Sequence, residues 1–195
     1  MVGLGTVPEA AVWGIFGLPL ASLALILFLP RSQARWAGHV AAAAIGAAFV
    51  LSLWVLDSAI EADGHRIVMS TNDWLTVLNL HLNVSFNIDG LSAIMLVVVT
   101  SVSFLVQIYS QGYMRGDGGY WRYFAYMSLF TASMLGLILF DSLLLVYVFW
   151  EMVGVSSYLL IGFWFHRPAA AAAAKKAFLV TRLGDIGFLL AILLI

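Results

Sequence analysis

Apolar positions along the chain fall into six long runs separated by polar breaks, at roughly 10–29, 36–56, 90–110, 122–140, 142–165 and 177–195. Each is about as long as the ~20 apolar residues a helix needs to cross a hydrocarbon core of about 30 Å. The pattern predicts an all-α fold, a polytopic transmembrane bundle of six spanning helices. Pro19 falls inside the first run and is expected to kink it, which membrane helices tolerate. The breaks are short except at 57–88, which is polar and carries the turn-forming stretches "ADGH" and "STND". Near its end the alternating "HLNVSFNI" predicts a short strand. The opening "MVGLGTVPEAAVWGIFGLPL" has no basic n-region, and its apolar run is too long for the core of a signal peptide. It reads as a retained first span. The alanine run from Ala169 to Ala174 reads as helix entry. The sixth run reaches Ile195 with no polar flank, which predicts a piece of a longer chain. The expected division is 1–88, two helices and a long external loop, and 89–195, the first four helices of a second unit.

Charge orients these runs. Arg31 and Arg35 follow the first, Arg115 and Arg122 the third, and Arg167, Lys175 and Lys176 the fifth. The opposite side carries only Arg66, beside Asp57, Glu61, Asp63 and Asp73. Seven basic residues against one is a positive-inside asymmetry that places the N-terminus and the long loop outside. Arg182 belongs to neither set, because it lies within the sixth run.

Composition agrees: 63% of residues are hydrophobic, 10% are charged, and the mean hydropathy is +1.02. Soluble domains are nearer 45–50% apolar and 25% charged. The absence of cysteine removes disulfides and thiolate metal sites. A net charge of −1 argues against nucleic acid as a partner. His39, His65, His81 and His166 are scattered without ligand spacing, so no metal site is expected. No phosphate-binding glycine loop or nucleophile elbow is present. The Trp and Tyr residues, among them Tyr120, Trp121 and Tyr123, suit interfacial belts.

The stretch "WEMVGVSSYLLIGFWF", residues 150–165, holds the one charge between Ser142 and Phe165. Glu151 follows Ser142 by nine residues, about 14 Å along a helix and so close to the bilayer midplane. A charge there costs roughly 2.5–3.5 kcal/mol even on lenient insertion scales, and intramembrane carboxylates typically mark ion pathways. Tyr147, Glu151, Gly154, Tyr158 and Gly162 share one helical face, with the two glycines expected to allow close approach. Burial raises a carboxyl's proton affinity and a neighbouring cation lowers it, so a carboxylate in this setting can load and release a proton as a cation moves. The rival reading of Glu151 is structural, a protonated acid bonded between helices.

The sixth run supplies "KKAFLVTRLGDIGFLL". Arg182 and Asp185 stand i, i+3 on one face and can pair. Lys175 lies two turns earlier on that face, whereas Lys176 projects elsewhere. The pair either merely lets the helix insert or forms part of an electrostatic relay. Asp89 in "FNIDGLSAIM" suits a helix N-cap, and Asp141 can cap the fifth span in the same way.

Three segments together, "DGLSAIMLVVVTSVSFLVQIYSQGYMRGDGGYWRYFAYMSLFTASML", "WEMVGVSSYLLIGFWF" and "KAFLVTRLGDIGF", resemble the N-terminal portion of subunit L of bacterial NADH–quinone oxidoreductase, respiratory complex I, whose mitochondrial counterpart is chain 5. The likeness is dense from about Asp89 onward and weak before it. It implies an antiporter-like subunit of the bacterial inner membrane that moves protons and is coupled to quinone reduction. The subunit has no redox centre of its own. NADH, FMN, Fe–S clusters and quinone are expected in other subunits, and the partners are the other membrane-arm subunits and the lipid bilayer. The resemblance further implies that Glu151 belongs to the central proton path, with Arg182 and Asp185 as charged partners on the next helix and Lys175 as a further candidate. The lysines essential to the family on later helices are not in this sequence. Related subunits occur in multisubunit sodium/proton antiporters and in membrane-bound hydrogenases. Those lines usually depart from "WExVG" and lack "RxGD", so the residues here favour complex I. The photosynthetic, ferredoxin-linked complex has a closely similar subunit. A scaffold that only holds its neighbours is the alternative from a different class.

Overall fold

The computed structural model describes residues 9–61, 67–77 and 80–194. Helix α1 (Glu9–Phe28) is followed by a 3-10 turn (Arg31–Trp36) and α2 (Ala37–Glu61). An antiparallel hairpin, β1 (Ile67–Val77) and β2 (Leu80–Ile88), leads to α3 (Gly90–Tyr113), α4 (Tyr120–Leu139), α5 (Leu143–Ile161) and α6 (Pro168–Leu194). All six helices are long and apolar enough to cross a membrane. The expected strand at 81–88 is β2, and β1 is a partner that alternation did not single out. Asp63, His65 and Arg66, used above in reading charge and metal ligands, lie outside the described residues, as do the first eight residues and the side chains of Arg31, Glu61, Asp73 and His81.

Local chemistry explains most boundaries. The Asp89 carboxylate accepts the backbone N–H of Ser92 at 2.7 Å, so the expected cap of α3 is present. Asp141 does not cap α5: Ser142 holds the N-cap position, no side chain bonds there, and Asp141 is exposed. Helix α6 begins at Pro168, nine residues earlier than its apolar run. Proline is pre-set for the first helical position, and the alanines that follow are strong helix formers. Helix α1 continues through Pro19.

The helices pack as α1 against α2 and α4, α2 against α3, α4 against α5, and α5 against α6. One apolar core, including Ile15, Phe86, Leu96 and Leu139, lies towards the hairpin. A smaller one joins Ile26, Ala37, Ala41 and Phe124 near the other end. Lipid tails compete for apolar contact, so close packing and interhelical hydrogen bonds carry much of the association. Ser22 bonds Ser128 at 3.0 Å, Ser52 bonds Thr100 at 2.8 Å, and Ser110 bonds Tyr123 at 3.0 Å, tying α1 to α4, α2 to α3 and α3 to α4. Gly136 is required by the α4–α5 contact, since a Cβ there would fall 2.5 Å from the Phe149 ring.

The bundle has two chemically distinct ends. At one, Phe86 of the hairpin bridges to Phe140, the residue after α4. At the other, Arg35 and Arg115 line one cavity, Arg122 lies over the rings of Phe163 and Phe165, and Arg167 lies over the Trp164 ring. The Asp117 carboxylate links the α3–α4 and α5–α6 connections, accepting the backbone N–H of Gly119 at 2.7 Å and the Trp164 indole N–H at 3.0 Å. Those two donors hold its carboxyl below the usual carboxylate range.

Candidate functional site

The α5 face recognised in the sequence is the face that meets α6, and the contacts run antiparallel. The Tyr147 ring lies edge-on to Phe188, Glu151 meets Arg182, Tyr158 lies against Phe178, and a Cβ on Gly162 would come within 3.2 Å of the Ala174 Cβ. Gly154 is the exception, because a Cβ there would meet open space. The close approach of the two helices is made at Gly162 alone of the two glycines.

Glu151 is the ninth of the nineteen residues of α5 and Arg182 the fifteenth of the twenty-seven of α6, so the two meet near the middle of both helices. The Arg182 guanidinium and the Glu151 carboxylate form an ion pair, with the side chains 33% and 15% exposed. Apart from that contact, neither carboxylate oxygen has a hydrogen-bond partner among the described residues. The guanidinium also lies over the Phe178 ring, 4.7 Å from its centroid.

This corrects the pairing that spacing proposed. Arg182 reaches across to α5, and the Asp185 carboxylate instead accepts the Trp150 indole N–H at 2.8 Å. The physical reason is a matter of alternatives. Among the described residues Glu151 has no other partner, whereas Asp185 can be satisfied by the indole donor of the residue beside Glu151. Trp150 and Phe178 were not identified from sequence. Their signal was weak, although an indole N–H set in an apolar stretch usually finds an acceptor. Glu151, Arg182 and Asp185 thus form one cluster. Lys175 does not join it: seven residues from Arg182, about 10 Å along the helix, it lies on the wall of a separate cavity of about 300 Å³ with Arg122, Tyr126 and Tyr158. The cluster provides one buried carboxylate neutralised across a helix pair and a second held by a neutral donor.

Two family models match this chain. Residues 74–124 match the N-terminus of NADH-ubiquinone oxidoreductase (complex I) chain 5, and residues 141–195 match the transmembrane domain shared by NADH:quinone oxidoreductase and the Mrp antiporter. The chain belongs to the complex I chain 5 family. It is an integral, multi-pass membrane protein. NAD(P)H-quinone oxidoreductase subunit 5 from the chloroplast of Mesostigma viride is 46% identical over 93% of this chain. The corresponding chain 5 from Synechocystis sp. (strain ATCC 27184 / PCC 6803 / Kazusa) is 52% identical over 76%. The chain spans 28% and 22% of the lengths of these two relatives. Among solved structures, the Mrp complex from Dietzia sp. DQ12-45-1b is similar with a TM-score of 0.70 at 30% identity, over 93% of this chain and 18% of that one. An archaeal membrane-bound sulfane sulfur reductase shares the fold, with a TM-score of 0.77 at 17% identity over 93% of this chain and 36% of that one. All four candidate site residues fall within the second family match.

Proposed function

We propose that this chain contributes the Glu151 station of a proton path in a membrane-arm subunit of a quinone oxidoreductase, where quinone reduction drives proton translocation. The observation that carries the reading is the Glu151–Arg182 ion pair, placed near the centre of two spanning helices. While the pair holds, the guanidinium neutralises the carboxylate; when it withdraws, the carboxylate is left in an apolar setting where an unpaired charge is costly. Moving one proton outward works against about 2.3 kcal/mol per 100 mV, which redox chemistry elsewhere in the complex must supply. Asp185, held by Trp150, is the second acceptor for Arg182 when the pair opens. Lys175 guards the approach from the basic end. In this proposal that end faces the cytoplasm of a bacterial cell and the hairpin faces outside. Residues 89–195 form the start of the translocating unit, and flavin, iron–sulfur clusters and quinone sit in partner subunits.

The test uses membrane vesicles carrying the full-length protein with Glu151→Gln, which keeps shape and removes charge. The expected result is normal complex assembly with NADH-driven proton uptake lost. Normal pumping with this variant would overturn the proposal and leave Glu151 as a structural acid. The resemblance to the subunit of the photosynthetic, ferredoxin-linked complex supports a second reading of the electron donor, in which reduced ferredoxin serves in place of NADH. Comparing quinone reduction with each donor in the same vesicles decides between them. A response of proton flux to sodium, with no electron donor present, would instead indicate the antiporter line.

A further inference from the structure

At the basic end, a cavity of about 690 Å³ opens between the 3-10 turn, the start of α2 and the α3–α4 turn. That volume is ordinary for a small-molecule site, about 300–1,000 Å³. Arg35, His39 and Arg115 line it, with Tyr120 and Trp121. One carboxylate, Asp117, also faces it, but that group is already engaged by the Gly119 N–H and the Trp164 indole. A second, smaller recess of about 160 Å³ adjoins the first, and Ile26, Leu27 and Leu29 stand on its wall. Ala34 and Trp121 belong to the walls of both. The two spaces lie where α1 and α3 end and α2 and α4 begin, at the level where spanning helices leave the hydrocarbon. A chamber with two guanidinium groups beside a recess walled by the aliphatic side chains of Ile26, Leu27 and Leu29 can take the charged head and the start of one chain of an amphiphile. Guanidinium groups bind phosphate oxygens in bidentate fashion, and Trp and Tyr favour the headgroup level.

We propose that this pair of cavities binds one anionic phospholipid, its phosphate between Arg35 and Arg115 and the top of one acyl chain in the slot beneath Trp121. The site rests on the membrane reading and on the proposed cytoplasmic placement of the basic end, neither of which the proton experiment tests, so its failure leaves the site standing. An anionic headgroup suits it better than a zwitterionic one because a choline cation would stand among the arginines. Basic pockets between helices on the cytoplasmic side take anionic headgroups for this reason.

The test reconstitutes the assembled complex into phosphatidylcholine vesicles containing a small fraction of diazirine-bearing phosphatidylglycerol or, separately, diazirine-bearing phosphatidylcholine. Crosslinks are mapped by mass spectrometry to segments 26–39 and 111–121. The expected result is labelling of both segments by phosphatidylglycerol, well above that by phosphatidylcholine. In Arg35→Gln/Arg115→Gln the apparent affinity should fall about thirtyfold, equivalent to about 2 kcal/mol for two charges near an anionic headgroup. Ala34→Phe keeps both arginines and fills the shared wall, so it should also lose the labelling even if the double variant assembles poorly. Arg167→Gln, a basic residue at the same end that does not line the cavity, should leave labelling unchanged. Equal labelling by the two lipids would overturn the proposal. So would displacement of the probe by millimolar inorganic phosphate, which would make this a site for the free anion.

Discussion

Removing the charge of Arg182 isolates the energetics of the central pair. Arg182→Gln leaves Glu151 at 15% exposure with no other hydrogen-bond partner among the described residues. Breaking a buried pair by taking away one member typically costs about 3–5 kcal/mol. Coulomb's law gives a similar figure, about 4 kcal/mol for unit charges 4 Å apart at an effective dielectric of 20. Arg182 is one-third exposed, which allows some hydration, so the lower end of that range applies. The variant should be destabilised by about 3 kcal/mol. About 0.5–1 kcal/mol of that is the lost contact with Phe178. This contact is missing from Arg182→Gln and from the double variant alike, so it cancels in a double-mutant cycle.

The full-length protein, unfolded in mixed micelles by titration with a denaturing detergent, provides the measurement. Glu151→Gln/Arg182→Gln should be much more stable than the sum of its single variants, with a coupling of about 2–3 kcal/mol. The parallel cycle of Arg182→Gln with Asp185→Asn should show a clearly smaller coupling, because Asp185 is engaged by Trp150. A Glu151–Arg182 coupling below about 0.5 kcal/mol, the limit of additivity, would refute the assignment of the pair. So would a larger coupling for Arg182–Asp185.

Gly136→Leu forces a side chain into the Phe149 ring and should cost at least the 1–3 kcal/mol of ordinary overpacking, read in the same titration; a neutral result would mean the α4–α5 contact can open freely. Asp89→Ala removes the cap of α3 and should cost about 1 kcal/mol, with Asp89→Asn retaining most of the stability. Asp117 gives a pH signature. Its carboxyl titrates below the reference of 3.8, so its contribution is complete above that value and disappears as pH falls through the lower folded-state value. The stability difference between wild type and Asp117→Asn should therefore hold steady from about pH 8 to pH 5 and shrink below about pH 4. A difference that does not vary down to pH 3 contradicts the Trp164 and Gly119 contacts as its source.

The features legible in the sequence were those set by local chemistry. Apolar length located all six helices, and proline plus alanine placed the start of α6 earlier than hydropathy did. Alternation located β2, while β1 escaped notice because its run "IVMSTNDWLTV" is interrupted by the contiguous polar stretch "STND", with irregular register between Ser70 and Leu75. Helical spacing identified the α5 face from Tyr147 to Gly162 as one that meets a neighbour. It could not choose the neighbour, and for Arg182 it offered Asp185 on the same helix, whereas the ion pair is made with Glu151. An i, i+3 relation within α6 says that two side chains can meet. Which pair forms is a competition among every donor and acceptor at that depth, including ones on another helix. Glu151 prevails because it has no other partner among the described residues, and Asp185 yields because Trp150 offers it a hydrogen bond without a charge. This outcome also bears on function. An Arg182 locked to Asp185 within one helix would be inert to movement between α5 and α6. An Arg182 paired across the interface makes the neutralisation of Glu151 depend on how the two helices sit, which is what the proposed proton station needs.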